Sequence, residues 1–251
     1  MKIMIFGGTT EGRELSRRLS GRGAEIAVCV ATDYGREEQG NVPGVTVLTG
    51  RRDRAEMEIL LQGANLCVDA THPYAVEVTR NIRAACGAAN VPYRRLLREE
   101  SAFDADGADI VTVSDASGAA AYLEATTGNV LLTTGAKELR RYANLDPSRL
   151  YPRILPTYEG LSACQDLKIP RRNILALQGP FSREFNEACI RQYGIAYLVT
   201  KDSGKTGGFP EKIQAARNTG VKLIVIRRPE ERGGSFEEIA AECEALLCQN
   251  G

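Results

Sequence analysis

A glycine-rich turn near the start of the chain has the residue types of a phosphate-binding loop. Gly7, Gly8 and Gly12 lie between an apolar run at residues 3–6 and a helical stripe that includes Leu15. A strand, a tight turn and a helix in this order bring together backbone N–H groups and the positive end of the helix dipole, where an anion binds. The turn departs from the dinucleotide pattern G-x-G-x-x-G, because a threonine replaces the middle glycine. We predict a nucleotide phosphate here, and the alternative is an ordinary strand–turn–helix junction.

A second loop, residues 69–74, follows the apolar run at 66–69 and contains the only histidine of the chain, His72. Its strand is expected to end beside the first strand, which would place Thr71 and His72 near the nucleotide. The following residue, Pro73, favours an extended backbone at His72. His72 then either donates to a phosphate, an amide or a carboxylate of a ligand, or satisfies local backbone groups.

Two loops in the second half of the chain also follow predicted strands. Ser182 is predicted as the N-cap of the next helix, which accounts for it structurally. Residues 201–208 combine lysines, hydroxyl groups and glycines after a strand that ends at Thr200, and a loop of this composition is expected to close on an anion. Residues 204–206 resemble the end of a P-loop, but Val199 occupies the position of its first glycine, which argues against a triphosphate site.

Apolar runs rich in β-branched residues alternate with amphipathic helical segments along the whole chain. This alternation predicts an α/β fold with parallel sheets and helices on both faces. Eleven strands are many for one open sheet, so we predict two lobes with a ligand cleft between them. The polar, turn-rich stretch at 98–109 is predicted to be the hinge between the lobes, so the predicted domains are 1–98 and 99–251. The predicted strands are 2–6, 25–30, 45–48, 66–69, 93–97, 110–113, 130–134, 150–154, 174–178, 196–200 and 222–227.

Three segments have the clearest apolar helical face, and they are predicted at 74–89, 209–217 and 235–247. In the first of them the buried face is predicted to consist of Val78, Ile82, Ala85 and Ala89.

The composition argues against several classes of protein. The 32 basic and 32 acidic residues balance, so no nucleic-acid partner is predicted. The first apolar run ends at Gly7, so no signal peptide is predicted. No membrane span is predicted, because no apolar run approaches the length that one needs. Seven scattered cysteines without a C-x-x-C pair are typical of reduced core thiols in a cytoplasmic protein. With a single histidine, no metal site is predicted.

Six motifs occur in order across nearly the full length: GGTTEGREL, DATHPYA, LLTTGAKEL, GPFS, LVTKDSG with a following GG and EK, and VIRRP. Together they resemble the precorrin-6A reductase family of cobalamin biosynthesis, including its cobalt-precorrin-6A members. The resemblance implies an oxidoreductase with two Rossmann-like lobes. It also implies hydride transfer from a nicotinamide coenzyme, NADPH or alternatively NADH, to a carbon–carbon double bond of the tetrapyrrole ring, which gives precorrin-6B.

The resemblance also assigns roles to particular residues. It places at the coenzyme Gly8, Thr9, Thr10, Glu11, Gly12, Arg13, Thr71, His72, Pro73 and Tyr74. It brings to the cleft from the second lobe Thr134, Gly135, Ser182, Lys201, Asp202, Ser203 and Gly204.

The residues themselves extend both sets. Thr32 joins the coenzyme-binding set, because a hydroxyl after the second strand can bind a 2′-phosphate. The substrate-binding set gains the cations in or near predicted strand-end loops, which are Lys137, Arg153, Arg183 and Lys205. Proton delivery or substrate alignment is predicted for Lys201, Asp202 and Ser203, because their loop can close over the cleft and exclude water.

The macrocycle bears many carboxylates, so its site is expected to be cationic although the whole chain has no net charge. A monomer or small homo-oligomer is expected. Two other functions stay open at this point: a sensor that binds NAD(P) without catalysis, and, less favoured, an NTPase of the P-loop type.

Overall fold

The computed structural model describes residues 1–97, 108–204 and 207–249. They form two compact units, the first from the described parts of Met1–Glu99 and Glu230–Gly251, and the second from those of Glu100–Pro229. The polar stretch at 98–109, where the sequence suggests a hinge, lies almost entirely outside the described residues.

Among the described residues, the first unit contains a five-stranded sheet. Its strands are β1 (Lys2–Phe6), β2 (Glu25–Val30), β3 (Val45–Thr49), β4 (Leu66–Asp69) and β5 (Tyr93–Arg95). Helices α1 (Thr10–Leu19), α2 (Asp33–Gln39), α3 (Arg54–Leu61) and α4 (Val76–Ala89) connect them. The order is β3-β2-β1-β4-β5, and every neighbouring pair is parallel. Strands β1, β2 and β4 are buried on both faces, which explains their continuous apolar sequences.

The described part of the second unit contains a six-stranded sheet. Its strands are β6 (Ile110–Val113), β7 (Asn129–Leu132), β8 (Leu150–Ile154), β9 (Leu175–Ala176), β10 (Ile195–Lys201) and β11 (Lys222–Ile226). The helices of this unit are α5 (Ala116–Glu124), α6 (Tyr158–Asp166), α7 (Arg183–Gln192) and α8 (Phe209–Thr219), with a 3-10 segment at Ala136–Tyr142. The order is β6-β11-β10-β7-β8-β9, again all parallel. The predicted fold class, α/β with two Rossmann-like parallel sheets, is confirmed.

Two local predictions differ from the structure. The strand predicted at 174–178 is only Leu175–Ala176. Val78 is exposed, and the buried face of α4 is formed by Ile82, Ala85 and Cys86 instead. Val76 in the first turn of α4 is exposed as well, so the apolar stripe overestimates the buried face at the start of this helix.

The last helix, α9 (Phe236–Gln249), belongs to the first unit, whereas the sequence-based division assigned residues 99–251 to the second domain. Ile239 and Cys243 of α9 are buried in one apolar cluster with Leu15 and Leu19 of α1. At the rim of this cluster the Arg18 guanidinium donates to Glu244 at 3.0 Å. The apolar face of α9 was recognised from the sequence, but the surface that it covers lies more than 200 positions earlier in the chain.

The thiols behave as small core hydrophobes, as predicted. All seven cysteines are free, and only Cys248 is exposed. No helix in the described ranges combines the length and the apolar character needed to cross a bilayer.

The segment that leads into α9 passes so close to β5 that one of its positions admits only glycine. A Cβ on Gly233 would clash with the Arg95 carbonyl oxygen and lie 2.9 Å from the Arg95 Cβ. That carbonyl cannot move away freely, because it accepts a hydrogen bond from the Gly234 N–H at 3.0 Å.

We therefore expect Gly233→Ala to lower the free energy of unfolding by about 1–3 kcal/mol. Gly87→Ala is the matched control, because Gly87 lies in α4 with no atom within 4 Å of an added Cβ. It should raise stability by about 0.5–1 kcal/mol through helix propensity. Urea unfolding followed by circular dichroism measures both, and equal stability of the two variants would contradict the close approach.

Candidate functional site

The glycine turn after β1 has the strand–turn–helix geometry that the sequence predicts. Gly8 adopts φ +122°, in the region that favours glycine. A Cβ on Gly12 would lie 2.8 Å from the Ala70 Cβ, so only glycine lets α1 begin this close to the end of β4. This close helix–strand packing is the role of the third glycine in dinucleotide-binding turns.

The turn lies at the switch point of the first sheet. In the order β3-β2-β1-β4-β5 the chain leaves β1 toward β2 and later returns on the other side to form β4. The loops after β1 and β4 therefore diverge at their carboxyl ends and leave a crevice, which is where open α/β sheets bind ligands.

Thr9 connects these two loops. Its hydroxyl donates to the Ala70 carbonyl at 2.9 Å and accepts from the Gly12 N–H at 3.2 Å, so it caps α1. The resemblance placed Thr9 in the coenzyme-binding set. In the structure the Thr9 hydroxyl donates its proton to the Ala70 carbonyl and so joins the loops after β1 and β4, and a contact with the coenzyme stays a prediction.

Arg13 and Thr32, both assigned to the coenzyme, also have partners within the first unit. The Arg13 guanidinium donates to the Glu38 carboxylate at 2.7 Å and to the Glu38 carbonyl at 2.8 Å. It thus bridges α1 and α2. Thr32, at the carboxyl end of β2, is exposed and caps α2 by accepting from the Gly35 N–H at 3.0 Å.

The loop after β4 starts from a fully buried carboxylate, Asp69. One of its oxygens accepts from the Thr71 N–H at 3.0 Å and from the Thr71 hydroxyl at 2.7 Å. The other accepts from the Tyr93 hydroxyl at 2.9 Å. Burial and the neighbouring carboxylate raise the pKa of Tyr93, so this phenol stays protonated as a donor. Sequence patterns identified Asp69 as a strand end but not as the anchor of the loop.

His72 and Tyr74 contact each other within this loop. Their rings stack with centroids 5.6 Å apart, and the Tyr74 N–H lies 3.4 Å from the His72 Nδ1. Pro73 between them is buried. The local backbone contact considered for His72 is therefore present, and its role toward a ligand stays a prediction.

In the second unit the switch point lies between β7 and β10. The chain continues from β7 to β8 on one side, and from β10 to β11 on the other. Thr134 and Gly135 follow β7, and Lys201 ends β10, so the structure brings these predicted residues to neighbouring strand ends. The Lys201 ammonium donates to the Glu138 carboxylate of the 3-10 segment at 3.0 Å. Thr134 and Tyr142 are buried, and burial raises the pKa of the Tyr142 hydroxyl.

The loop after β10 is held by its own contacts. The Ser203 hydroxyl donates to the Gly207 carbonyl at 3.0 Å, and the Gly204 N–H donates to the Asp202 carboxylate at 3.4 Å. Lys205, predicted to bind substrate, lies outside the described residues.

The remaining predicted residues of the second unit lie on its surface or at a helix end. Ser182 caps α7 by accepting from the Phe185 N–H at 3.2 Å, as predicted. Arg183 is half-exposed and pairs with Glu184 at 2.6 Å. Lys137 is exposed.

Two cations of this unit are buried, Arg153 on β8 and Lys212 on α8. The Arg153 guanidinium stacks 4.1 Å from the Phe181 ring centroid and donates to the Asn186 side-chain oxygen at 2.8 Å. Burial lowers its pKa to about 10. Lys212 donates to the Gly207 carbonyl at 3.0 Å, and burial together with repulsion from Arg153 lowers its pKa to about 8.

Among the residues that the structure describes, neither cation forms an ion pair with a carboxylate. The neighbouring Glu211 carboxylate favours the charged form of Lys212, but burial and repulsion from Arg153 outweigh it. Burying two positive charges is costly, so this pair favours an anionic ligand. Arg153 was predicted, whereas Lys212 was missed. The sequence could have indicated Lys212, because a lysine in the first turn of a predicted helix is unfavourable next to the helix dipole and is therefore unusual. Within the described ranges no cluster of three or more metal-ligating side chains occurs.

The family model described as "Precorrin-6x reductase CbiJ/CobK" matches residues 2–245. The chain belongs to this family. Two relatives are similar to the chain over nearly its full length. The cobalt-precorrin-6A reductase of Priestia megaterium is 34% identical, with 94% of this chain and 96% of that protein covered. The precorrin-6A reductase of Mycobacterium tuberculosis is 32% identical, with 91% and 89% covered.

A solved structure described as CobK precorrin-6A reductase has the same fold as this chain. The TM-score is 0.73 at 23% identity, over 100% of this chain and 98% of that chain. The family resemblance inferred from the six motifs is thus confirmed.

The lowered pKa of Lys212 predicts a pH-dependent stability. The folded chain releases this proton near pH 8, whereas the unfolded chain keeps it up to the ordinary value of 10.5. Between these values the unfolded state binds more protons, so the contribution of Lys212 to the free energy of unfolding rises with pH.

Lys212→Met removes this titration. The variant should be more stable than the wild type at about pH 7.5, and its advantage should shrink by about 2 kcal/mol by about pH 9.5. Urea unfolding at the two pH values measures the difference. An advantage that does not change with pH would show that Lys212 titrates normally.

Proposed function

We propose that the chain catalyses the NAD(P)H-dependent reduction of a carbon–carbon double bond in the precorrin-6A or cobalt-precorrin-6A macrocycle, which gives the 6B form during corrin ring biosynthesis. The observation that carries the coenzyme part is the glycine turn at the switch point of the first sheet, where Gly8 has a positive φ and Gly12 contacts Ala70. The substrate part is supported by the names of the relatives and by the buried cations of the second unit.

The residues of the first unit fit a dinucleotide. Backbone groups of Gly8, Thr10 and Glu11 would hold the pyrophosphate at the start of α1, and Thr71 and the His72 ring would face the nicotinamide half. The coenzyme supplies the hydride, and the protein supplies alignment and electrostatics.

The choice between the two coenzymes depends on the residues after β2. Asp33 would favour the ribose diol of NADH, whereas the Thr32 hydroxyl and the Arg36 guanidinium would favour the 2′-phosphate of NADPH. All three are exposed. We propose NADPH, as the family resemblance implies.

The second unit would bind the carboxylates of the tetrapyrrole. Arg153 and Lys212 provide buried positive charge, and Lys201 provides a third cation near the strand ends. Lys201, Asp202 and Ser203 would deliver a proton or align the ring, since they lie in the loop at the switch point.

Fluorescence titration with NADPH, NADH and ATP tests the first step. We expect tight binding of NADPH, weaker binding of NADH and none of ATP. Addition of purified precorrin-6A and of its cobalt form should then oxidise NADPH, measured by the loss of the reduced-coenzyme absorbance. NADPH binding without turnover of either macrocycle would indicate a sensor, and binding of ATP with Mg²⁺ alone would indicate an NTPase.

Arg153→Lys tests the substrate part. Lysine keeps the charge but loses the planar fork that donates to Asn186 and stacks on Phe181. We expect the KM for the tetrapyrrole to rise about tenfold or more, while the Kd for NADPH is unchanged.

Arg191→Lys is the control, since Arg191 lies on the surface of the same unit and pairs with Glu187 at 3.0 Å. Steady-state kinetics with the tetrapyrrole varied measures both variants. If Arg153→Lys behaves like Arg191→Lys, Arg153 does not bind the substrate.

A further inference from the structure

Three charged side chains of the first unit form a buried chain: Asp69, Arg95 and Glu231. The Arg95 Nη1 donates to the Asp69 carboxylate at 2.8 Å and to the Asp69 carbonyl at 3.1 Å. The Arg95 Nε and Nη2 donate to the two oxygens of Glu231 at 3.1 and 3.0 Å. The exposed fractions of these side chains are 0% for Asp69, 1% for Arg95 and 15% for Glu231.

The position of the Arg95 guanidinium depends on both carboxylates. A planar guanidinium with a bidentate partner on one edge has a fixed orientation. Glu231 holds that edge, so the opposite nitrogen is directed at Asp69 and at the Thr71 hydroxyl, which it reaches at 3.2 Å. Loss of one carboxylate would leave the buried cation to shift toward the other.

Asp69 and Thr71 in turn define the start of the loop that carries His72. Asp69 binds both the N–H and the hydroxyl of Thr71, and this hydroxyl lies 3.2 Å from that of Thr79 on α4. On the other side, the Ala70 N–H donates to the Phe6 carbonyl at 2.8 Å. The loop is thus held between β1, α4 and the buried charges.

Glu231 reaches this network from a distant part of the sequence, 136 positions after Arg95. It lies in the segment at 230–235 that returns to the first unit and runs beside β5. The Leu97 N–H donates to the Gly234 carbonyl at 2.9 Å, and Leu96 and Gly234 form a parallel bridge. The segment at 230–235 therefore places the Glu231 carboxylate beside Arg95, which contacts Asp69 and Thr71 at the start of the loop after β4.

We propose that Glu231 and Arg95 are positioning residues of the coenzyme site, which act through Asp69 and Thr71 on the loop at 70–74. The segment at 230–235 is then a functional part of the coenzyme site, in addition to leading the chain into α9. This inference rests on the proposed function, because it assigns the loop to a nicotinamide coenzyme.

Glu231→Gln tests the proposal with little change in size. The amide keeps one acceptor but directs N–H groups at the Arg95 donors, so the bidentate pair is lost. We expect the Kd and the KM for NADPH to rise about tenfold or more, and the KM for the tetrapyrrole to stay within about twofold of wild type.

Glu242→Gln is the matched control. Glu242 lies on α9 and pairs with Arg94, the neighbour of Arg95 on β5, at 2.7 Å. This pair joins β5 to α9, but its two side chains are 43% and 35% exposed. Among the described residues no hydrogen bond or ion pair joins it to the loop at 70–74. We expect its NADPH affinity to equal that of the wild type.

The outcomes separate the two proposals. Loss of NADPH affinity in Glu231→Gln alone, at a melting temperature similar to that of Glu242→Gln, supports the positioning role. Unchanged affinity in both variants, or equal loss in both, overturns it. A wild-type protein that binds neither NADPH nor NADH overturns the proposed function itself.

A second measurement on the wild-type protein applies if Glu231→Gln does not fold. Coupling between two sites is reciprocal, so NADPH should slow hydrogen exchange at the amides of Leu97 and Gly234. Unchanged exchange at these amides with saturating NADPH overturns the positioning role.

Discussion

The close approach of α1 to the end of β4 is the constraint on which the first unit depends. Gly12 and Ala70 are so near that one added methyl group would force the helix away, and the Thr9 hydroxyl uses this proximity to bind the Ala70 carbonyl. The loops after β1 and β4 are consequently joined by direct contacts. These contacts hold the start of α1, with its dipole, next to the loop that carries His72.

Buried charges serve two different purposes in the two units. In the first unit Asp69, Arg95 and Glu231 satisfy one another within the protein, so they fix geometry. In the second unit Arg153 and Lys212 donate to neutral oxygens, and the Glu211 carboxylate near Lys212 offsets only part of the buried charge, so positive charge is left for an anion. Desolvation explains both cases, because a buried ion needs either a protein counterion or a ligand that provides one.

Much of the fold was readable from the sequence. Parallel strands buried on both faces appear as continuous apolar runs, and all eleven runs correspond to strands in the described residues. The glycine turn and the Ser182 cap were also identified, because each depends on residues close in sequence. Glu231 was not, because its partner Arg95 lies 136 positions earlier in the chain. Lys212 was overlooked although its place in the first turn of α8 is a local signal.

Local chemistry was thus determined by the sequence itself: which segments form strands and helices, where the backbone turns, and which family the motifs resemble. Only the tertiary structure decided which residues contact each other across the fold. In it α9 packs in the first unit, and the Thr9 hydroxyl donates to the Ala70 carbonyl. Arg13 pairs with Glu38, and Glu231 pairs with Arg95. The physical reason is that periodicity and turn chemistry are properties of neighbouring residues, whereas burial and ion pairing depend on which surfaces meet when the sheets assemble.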